Sequence, residues 1–273
     1  MMAPTPWKVR LDEATAVRGR ACVGIDPMPR VLAAWGLDAT VEGLETCARG
    51  IVEELGPHAA VFKPQSAFFE AFGSRGIAVL ERVLEDIREV GALSILDVKR
   101  GDIGSSMAGY ASAYLDDSSQ LRADAITVSP YLGIGSLESM IEKAVLAGRG
   151  LYVLARTSNP EGHHIQNARI NGRTVAQDII DRIAKWNPGW GYAVGLVIGA
   201  THSDPGCDPT DFNGSILVPG IGAQGGTFSD VKNIFQSSTK LVLPTMSREV
   251  IGAGKEELVV RFTRLVDQTA GLT

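Results

Sequence analysis

The chain is poor in the residues that build disulfide and metal sites. Only three of its 273 residues are cysteine. Cys22, Cys47 and Cys207 are scattered, odd in number and form no C-x-x-C pair, which speaks against a disulfide framework or structural zinc and for reduced thiols. His163, His164 and His202 have no carboxylate or cysteine at ligand spacing, so they read as loop residues rather than metal ligands or catalytic bases. No apolar run approaches the ~18 residues that a membrane-spanning helix needs, and the segment Met1 to Arg20 lacks a signal-peptide core, so a cytoplasmic protein without a membrane partner is expected. The net charge is −5 and no concentrated basic patch is found, which argues against a nucleic-acid surface and implies that any phosphate bound is small. A dinucleotide fingerprint is missing too, since Gly24-Ile25-Asp26-Pro27 is not G-x-G-x-x-G.

What the chain does have is core material: 45% of residues are hydrophobic and 21% charged, the balance of an ordinary folded protein. Eight short apolar, largely β-branched runs follow in order: Ala21–Asp26, Ala59–Lys63, Leu93–Val98, Ala125–Ser129, Leu151–Arg156, Tyr192–Gly199, Ser215–Pro219 and Lys240–Pro244. The segments between them have room for helices. Val175, Ile179, Ile180 and Ile183, like Leu258, Val259, Phe262, Leu265 and Val266, recur at the helical period and make one apolar face. Buried strands alternating with amphipathic helices imply a parallel sheet covered by helices, and eight such units predict an α/β (β/α)8 barrel. An open doubly wound sheet is the alternative, because periodicity does not establish closure. With no linker or repeat, residues 1–273 are expected to form one domain, with residues 1–20, carrying Trp7, as an N-terminal extension packed on the barrel floor.

Strand alternation then places the charges. Ile95, Asp97 and Lys99 share one face of their strand and Leu96 and Val98 the other, so if the apolar pair meets the helices, Asp97 and Lys99 point into the barrel. The same parity aligns Gly24 with Asp26 and Val61 with Lys63. Three successive strands would end in inward charges at the C-terminal rim, where barrel active sites lie. Unpartnered buried charge is costly, so Asp26, Lys63, Asp97, Lys99 and Asp102 are expected to form one alternating network.

Three loops add binding capacity. Leu217 to Thr227 is a glycine-rich run through Pro219, Gly220, Gly222, Gln224, Gly225 and Gly226, with Thr227 and Asp230 spaced as a helix cap. The next strand leads into Ser247-Arg248, and the loops after strands seven and eight are the usual phosphate grip of such barrels. Arg156-Thr157-Ser158-Asn159-Pro160 offers hydrogen-bonding side chains suited to the edge of a heterocycle.

The run Asp97-Val98-Lys99-Arg100-Gly101-Asp102-Ile103-Gly104 resembles the signature of orotidine 5′-phosphate decarboxylases. Phe62-Lys63-Pro64-Gln65, Thr157-Ser158-Asn159-Pro160, Pro219 to Gly226 and Ser247-Arg248 follow in the order of that family, and the length and the Thr-Ser-Asn-Pro loop resemble its longer bacterial subgroup (type 2). The resemblance implies that Lys99, Asp97, Asp102 and Lys63 are catalytic and that Asp26 and Lys63 hold the ribose. It further implies that Ser158 with Thr157 reads the pyrimidine, that Gln224 and Arg248, with Pro219 at the head of the loop, grip the phosphate, and that Asp102, accompanied by Ser106, reaches into the neighbouring subunit of a homodimer. No cofactor or metal is implied. Gln65 stands where some relatives have Asn, and Ser106 where they often have Thr.

The chemistry suits these charges. Loss of CO2 from C6 of orotate leaves a vinyl carbanion without an electron sink, which an ammonium at Lys99 would stabilise and then protonate. Metal-dependent sugar-phosphate decarboxylases share Asp-x-Lys-x-x-Asp, but they carry a carboxylate ligand where this chain has Lys63, whose charge would repel magnesium. A Schiff-base aldolase would need a neutral lysine, which flanking carboxylates oppose. A non-catalytic nucleotide-binding module would leave the charge set without a purpose.

Overall fold

The computed structural model describes residues 3–202 and 204–272. Eight parallel strands close a barrel in chain order: β1 Cys22–Ile25, β2 Val61–Pro64, β3 Leu93–Arg100, β4 Ala125–Val128, β5 Gly150–Arg156, β6 Val194–Ile198, β7 Ile216–Val218 and β8 Val242–Met246. Pairing of Cys22 with Thr245 joins β1 to β8 and completes the closure that periodicity left open. Each strand falls on one of the apolar runs, with ends shifted by a few residues.

Alternation splits the core in two. Val23, Ile25, Phe62, Leu96, Val98, Ile126 and Val128 point outward and pack under the helices. Cys22, Val61, Ile95, Ala125, Tyr152, Val197, Leu217 and Leu243 fill the barrel. The covering helices form where the 3.6-residue period predicts them. Thr174 accepts a hydrogen bond from the Gln177 amide to cap the helix Val175–Trp186, which buries Ala176, Ile179, Ile180 and Ile183. In the helix Leu258–Ala270 the buried face is Leu258, Phe262, Leu265 and Thr269, while Val259 lies outside it and is exposed.

One repeat departs from the pattern. Among the described residues no helix connects β6 to β7. Pro205, Gly206, Pro209 and Gly214 interrupt that stretch, and the side chains of Asp204 and Asp208 accept from the amides of Gly206 and Thr210 at 2.8 and 2.9 Å. Such local turns compete with helix formation.

The N-terminal helix Trp7–Arg18 lies against the end of the barrel away from the charged rim. Trp7 and Leu11 are buried among the inward-facing residues, and Trp7 meets Tyr152 edge to face at 6.2 Å. A Cβ on Gly150 would stand 2.6 Å from the Trp7 ring, so glycine makes room for the indole. Arg10 pairs with Asp124, whose other oxygen accepts from the amide and hydroxyl of Ser94, fastening the helix to β3 and β4. No helix among the described residues is long and apolar enough to cross a membrane.

Truncating this plug empties a closed space that nothing else fills. Trp7→Ala is expected to cost about 3–5 kcal/mol of stability, read as a lower denaturant midpoint at unchanged slope. A loss below about 1 kcal/mol would mean that the strands hold the barrel floor without the indole.

Candidate active site

The site begins with a break in β3. Its register against β4 shifts between Leu96 and Arg100, and Lys99 takes a left-handed backbone with φ 45. That conformation is unfavourable for a lysine and persists only where its surroundings enforce it. Thr127 of β4 does so: its hydroxyl oxygen accepts from the amides of Val98 and Lys99 at 3.1 and 2.9 Å and donates to Asp97 Oδ1 at 2.7 Å. The bulge folds Lys99 back over its own strand, so that Nζ lies 2.6 Å from Asp97 Oδ1.

Asp97 is buried and its carboxylate is saturated. Oδ1 accepts from Lys99 and Thr127, and Oδ2 from Lys63 Nζ at 2.9 Å and Gln65 Nε2 at 3.0 Å. Burial alone would raise its pKa, but the ammoniums of Lys63 and Lys99 outweigh this and hold the carboxyl far below the usual range. Burial likewise opposes the charge on Lys63, yet Asp97 and then Asp26 hold its ammonium above its ordinary value. Asp26 Oδ1 is buried without a hydrogen-bond partner, an acceptor left open at the end of β1. Beneath them Cys22 is pushed up to about 12 by burial and is a neutral thiol.

Asp26, Lys63, Gln65, Asp97 and Lys99 line a cavity of about 520 Å3 together with Pro219, Gly220, Gln224, Ser247 and Arg248. Gly220 and Gly225 both take φ 95, which only glycine adopts readily, and the loop folds back as Gly226 N–H donates to Gly220 O at 3.0 Å. Thr227 and Asp230 form a complete capping box, so their amides serve the helix Phe228–Phe235. The loop and the Arg248 side chain remain on this side of the cavity, with the Glu249 carboxyl group so close that a Cβ on Gly222 would stand 2.5 Å from its Cδ.

A third wall is Thr157, Ser158, Asn159 and Gln166. Here the hydroxyl of Thr157 is already committed, accepting from Gln166 Nε2 at 2.8 Å and donating to Asn159 Oδ1 at 2.6 Å. The Ser158 carbonyl accepts from Thr201 at 2.6 Å, which fixes the backbone beneath its side chain. His202 bonds the Thr157 carbonyl through Nε2 at 2.9 Å, so that nitrogen carries hydrogen; His163 and His164 are exposed.

Asp26, Lys63, Asp97, Lys99, Thr157, Ser158, Pro219, Gln224 and Arg248 thus meet around one cavity. Asp102 and Ser106 do not. The chain leaves the rim at Gly101, where a Cβ would come 2.6 Å from Ser129 O, and Asp102 then accepts from the Ile103 amide at 2.8 Å. Within its own chain Asp102 therefore stands outside the charge network expected to include it. Ser106 is exposed on the helix Gly104–Leu115. Gln65 is bound to Asp97. Thr127 and Gln166 were not foreseen: Thr127 shares the inward parity of Ala125 and is polar within an apolar strand, a readable signal, whereas the role of Gln166 arises only from how its loop folds.

Fold and site together define a (β/α)8 barrel whose charged rim shares one cavity with a glycine-rich loop and Arg248. The sequence model of the orotidine 5′-phosphate decarboxylase / HUMPS family matches residues 19–261, and the chain belongs to that family. It is 53% identical over 270 residues to an orotidine 5′-phosphate decarboxylase of Salinispora arenicola, covering 97% of each chain. With the Streptomyces coelicolor enzyme of that name it shares 47% over 259 residues, 94% of this chain and 93% of the other. A Streptomyces avermitilis crystal structure assigned to the same activity superposes with a TM-score of 0.93 at 46% identity, covering 99% of this chain and 97% of that one. The Leishmania donovani OMP decarboxylase does so at 0.80 and 28%, with 99% of both chains covered.

The depressed pKa of Asp97 links the site to stability. Because the folded value lies below the unfolded one, ~3.9, the carboxylate's contribution is complete above about pH 4 and is lost as pH falls below it. Asp97→Asn strands Lys63 and should cost about 3–5 kcal/mol near neutrality. The gap between variant and wild type, followed by denaturant unfolding, should stay level from about pH 5 to 8 and narrow from about pH 4 downward. A gap that widened in acid would reverse the assigned direction.

Proposed function

We propose that this chain converts orotidine 5′-monophosphate to uridine 5′-monophosphate and CO2. The observation that carries this reading is Asp97 with an ammonium on each oxygen, in one cavity with a glycine-rich loop and Arg248. The bond from C6 to the carboxylate breaks, CO2 departs and the electron pair stays on C6. Lys99 stabilises that charge where it develops and transfers a proton from Nζ to C6, after which solvent recharges the amine. Asp97 holds the ammonium in place and crowds the departing carboxylate. Asp26 and Lys63 take the ribose hydroxyls, the open Asp26 Oδ1 supplying an acceptor. Gln224 and Arg248 take the phosphate, whose binding energy, remote from C6, is available to organise the site.

The thiol of Cys22 and the ammonium of Lys63 offer no ligand to a metal, and Lys63 held charged is no Schiff-base nucleophile. The reading needs no cofactor, and it takes the enzyme as cytoplasmic. Ser158 is the reader of the pyrimidine, and Thr157, its hydroxyl spent, supports it.

The same reading takes the active unit as a homodimer, with Asp102 of one chain completing the network around Lys99 of the other. Two observations support it: Asp102 is turned from its own site, and Ile103, Tyr131 and Leu132 expose large apolar side chains on the loops that follow β3 and β4.

Lys99→Ala should lower turnover on the order of 1,000-fold or more, followed by loss of orotate absorbance, while uridine 5′-monophosphate still binds within about tenfold. A near-normal rate would remove Lys99 from the chemistry. For the shared site, inactive Lys99→Ala and Asp102→Ala proteins unfolded, mixed in equal amounts and refolded should regain about a quarter of wild-type sites, because half the dimers are mixed and each holds one intact site. Mixed dimers seen by mass with no more activity than the parents would confine Asp102 to its own chain.

A further inference from the structure

Arg156 closes β5 and is only 1% exposed, yet among the described residues it has no carboxylate partner. Its guanidinium donates instead to three neutral oxygens: Pro205 O at 3.1 Å, Thr157 O at 3.2 Å and Gln166 Oε1 at 3.0 Å. The Thr157 amide converges on the same Oε1 at 3.0 Å. With two donors on one side, the Gln166 amide is satisfied in one orientation only, and Nε2 must face Thr157 Oγ1. Thr157 then turns its hydrogen to Asn159 Oδ1, and Asn159 turns Nδ2 to the exposed carboxylate of Glu161 at 2.9 Å. A buried cation at one end and an anion at the other thus give the chain Arg156, Gln166, Thr157, Asn159, Glu161 a single hydrogen-bond direction.

From this we infer that Arg156 and Gln166 are positioning residues that fix the donor and acceptor pattern of the wall beside Ser158, and so select a pyrimidine edge presenting N3–H and a 4-oxo group over one presenting a bare N3 and a 4-amino group. The inference rests on the proposed function, since that reading assigns this wall to the base. The edges differ only in which atoms donate, so a wall with locked polarity separates them where a merely well-packed one does not.

Gln166→Glu tests polarity apart from packing. A carboxylate still accepts from Arg156 and Thr157, and gives the buried guanidinium a counter-ion, but it cannot donate to Thr157 Oγ1, so the chain must reverse. Calorimetric binding of uridine and cytidine 5′-monophosphates to the full-length protein should show wild type favouring the uridine nucleotide and Gln166→Glu reducing that preference roughly tenfold. Ribose 5-phosphate binding and Tm should be undiminished. Glu161→Gln keeps an acceptor at the outer end and should retain the preference within about twofold. A Gln166→Glu protein with unchanged preference, or a Glu161→Gln protein that loses it as fully, overturns the inference. Wild type failing to bind the uridine nucleotide at all would instead bring down the proposed function.

Discussion

Two oxygens of Asp97 receive four hydrogen bonds, two of them from ammonium groups, and the geometry of the rim follows from that saturation. A carboxylate in this position would be costly to bury alone, and so would Lys63 beside it. Together they are mutually satisfied, and each holds the other charged far beyond the pH range in which a protein works. Lys99 is the exposed member of the set, with 45% of its side chain open against 8% for Lys63. The network is therefore anchored on its buried side and presents one movable cation to the cavity. That asymmetry separates a structural ammonium from one free to engage a ligand.

Holding Lys99 there takes a local violation of good strand geometry. An unbroken strand would send Asp97 and Lys99 out on parallel paths, two residues apart on one face. The bulge and the left-handed φ turn Lys99 back toward its neighbour, and Thr127 absorbs the disturbance by accepting the two amides that the shifted ladder leaves. A threonine hydroxyl has one hydrogen and two lone pairs, and here all three are used. Backbone strain, ladder break and ion pair are one device. The rest of the barrel, with its interior plugged by Trp7 at the opposite end, gives that device a rigid base.

Period-two alternation made much of this legible. The apolar runs placed all eight strands, and alternation put Asp26, Lys63, Asp97 and Lys99 on inward faces, because a parallel strand buried on both sides reveals its charged residues by contrast. It could not show the bulge at Lys99, which depends on pairing with β4, nor the Gln65 contact with Asp97, which depends on the stagger of β2 against β3. It also carried Asp102 into the network by proximity in sequence, whereas the turn at Gly101 takes that side chain past the rim. The missing helix after β6 was legible in its prolines and glycines but was masked by the regularity of the surrounding repeats. Gln166 lies nine residues from Thr157, at the end of the four-residue helix His163–Gln166, too short to show a periodicity, so its double contact was invisible.

The proposed chemistry places a charge requirement on the network. Asp26, Lys63, Asp97 and Lys99 sum to zero, as do Arg248 and Glu249 in the same cavity, and in the proposed reading Arg248 meets the phosphate. A substrate carboxylate makes the set net negative beside Asp97, a repulsion that bulk water cannot screen as well in a cavity as at a surface. Loss of CO2 leaves the sum unchanged but moves the charge to C6, next to the Lys99 ammonium, where it is better compensated. Proton transfer then neutralises both C6 and Lys99 and returns the excess charge to the carboxylates. Only a proton from solvent restores the resting sum of zero, so the exposure of Lys99, which costs the ion pair some of its strength, is what allows the site to be reset.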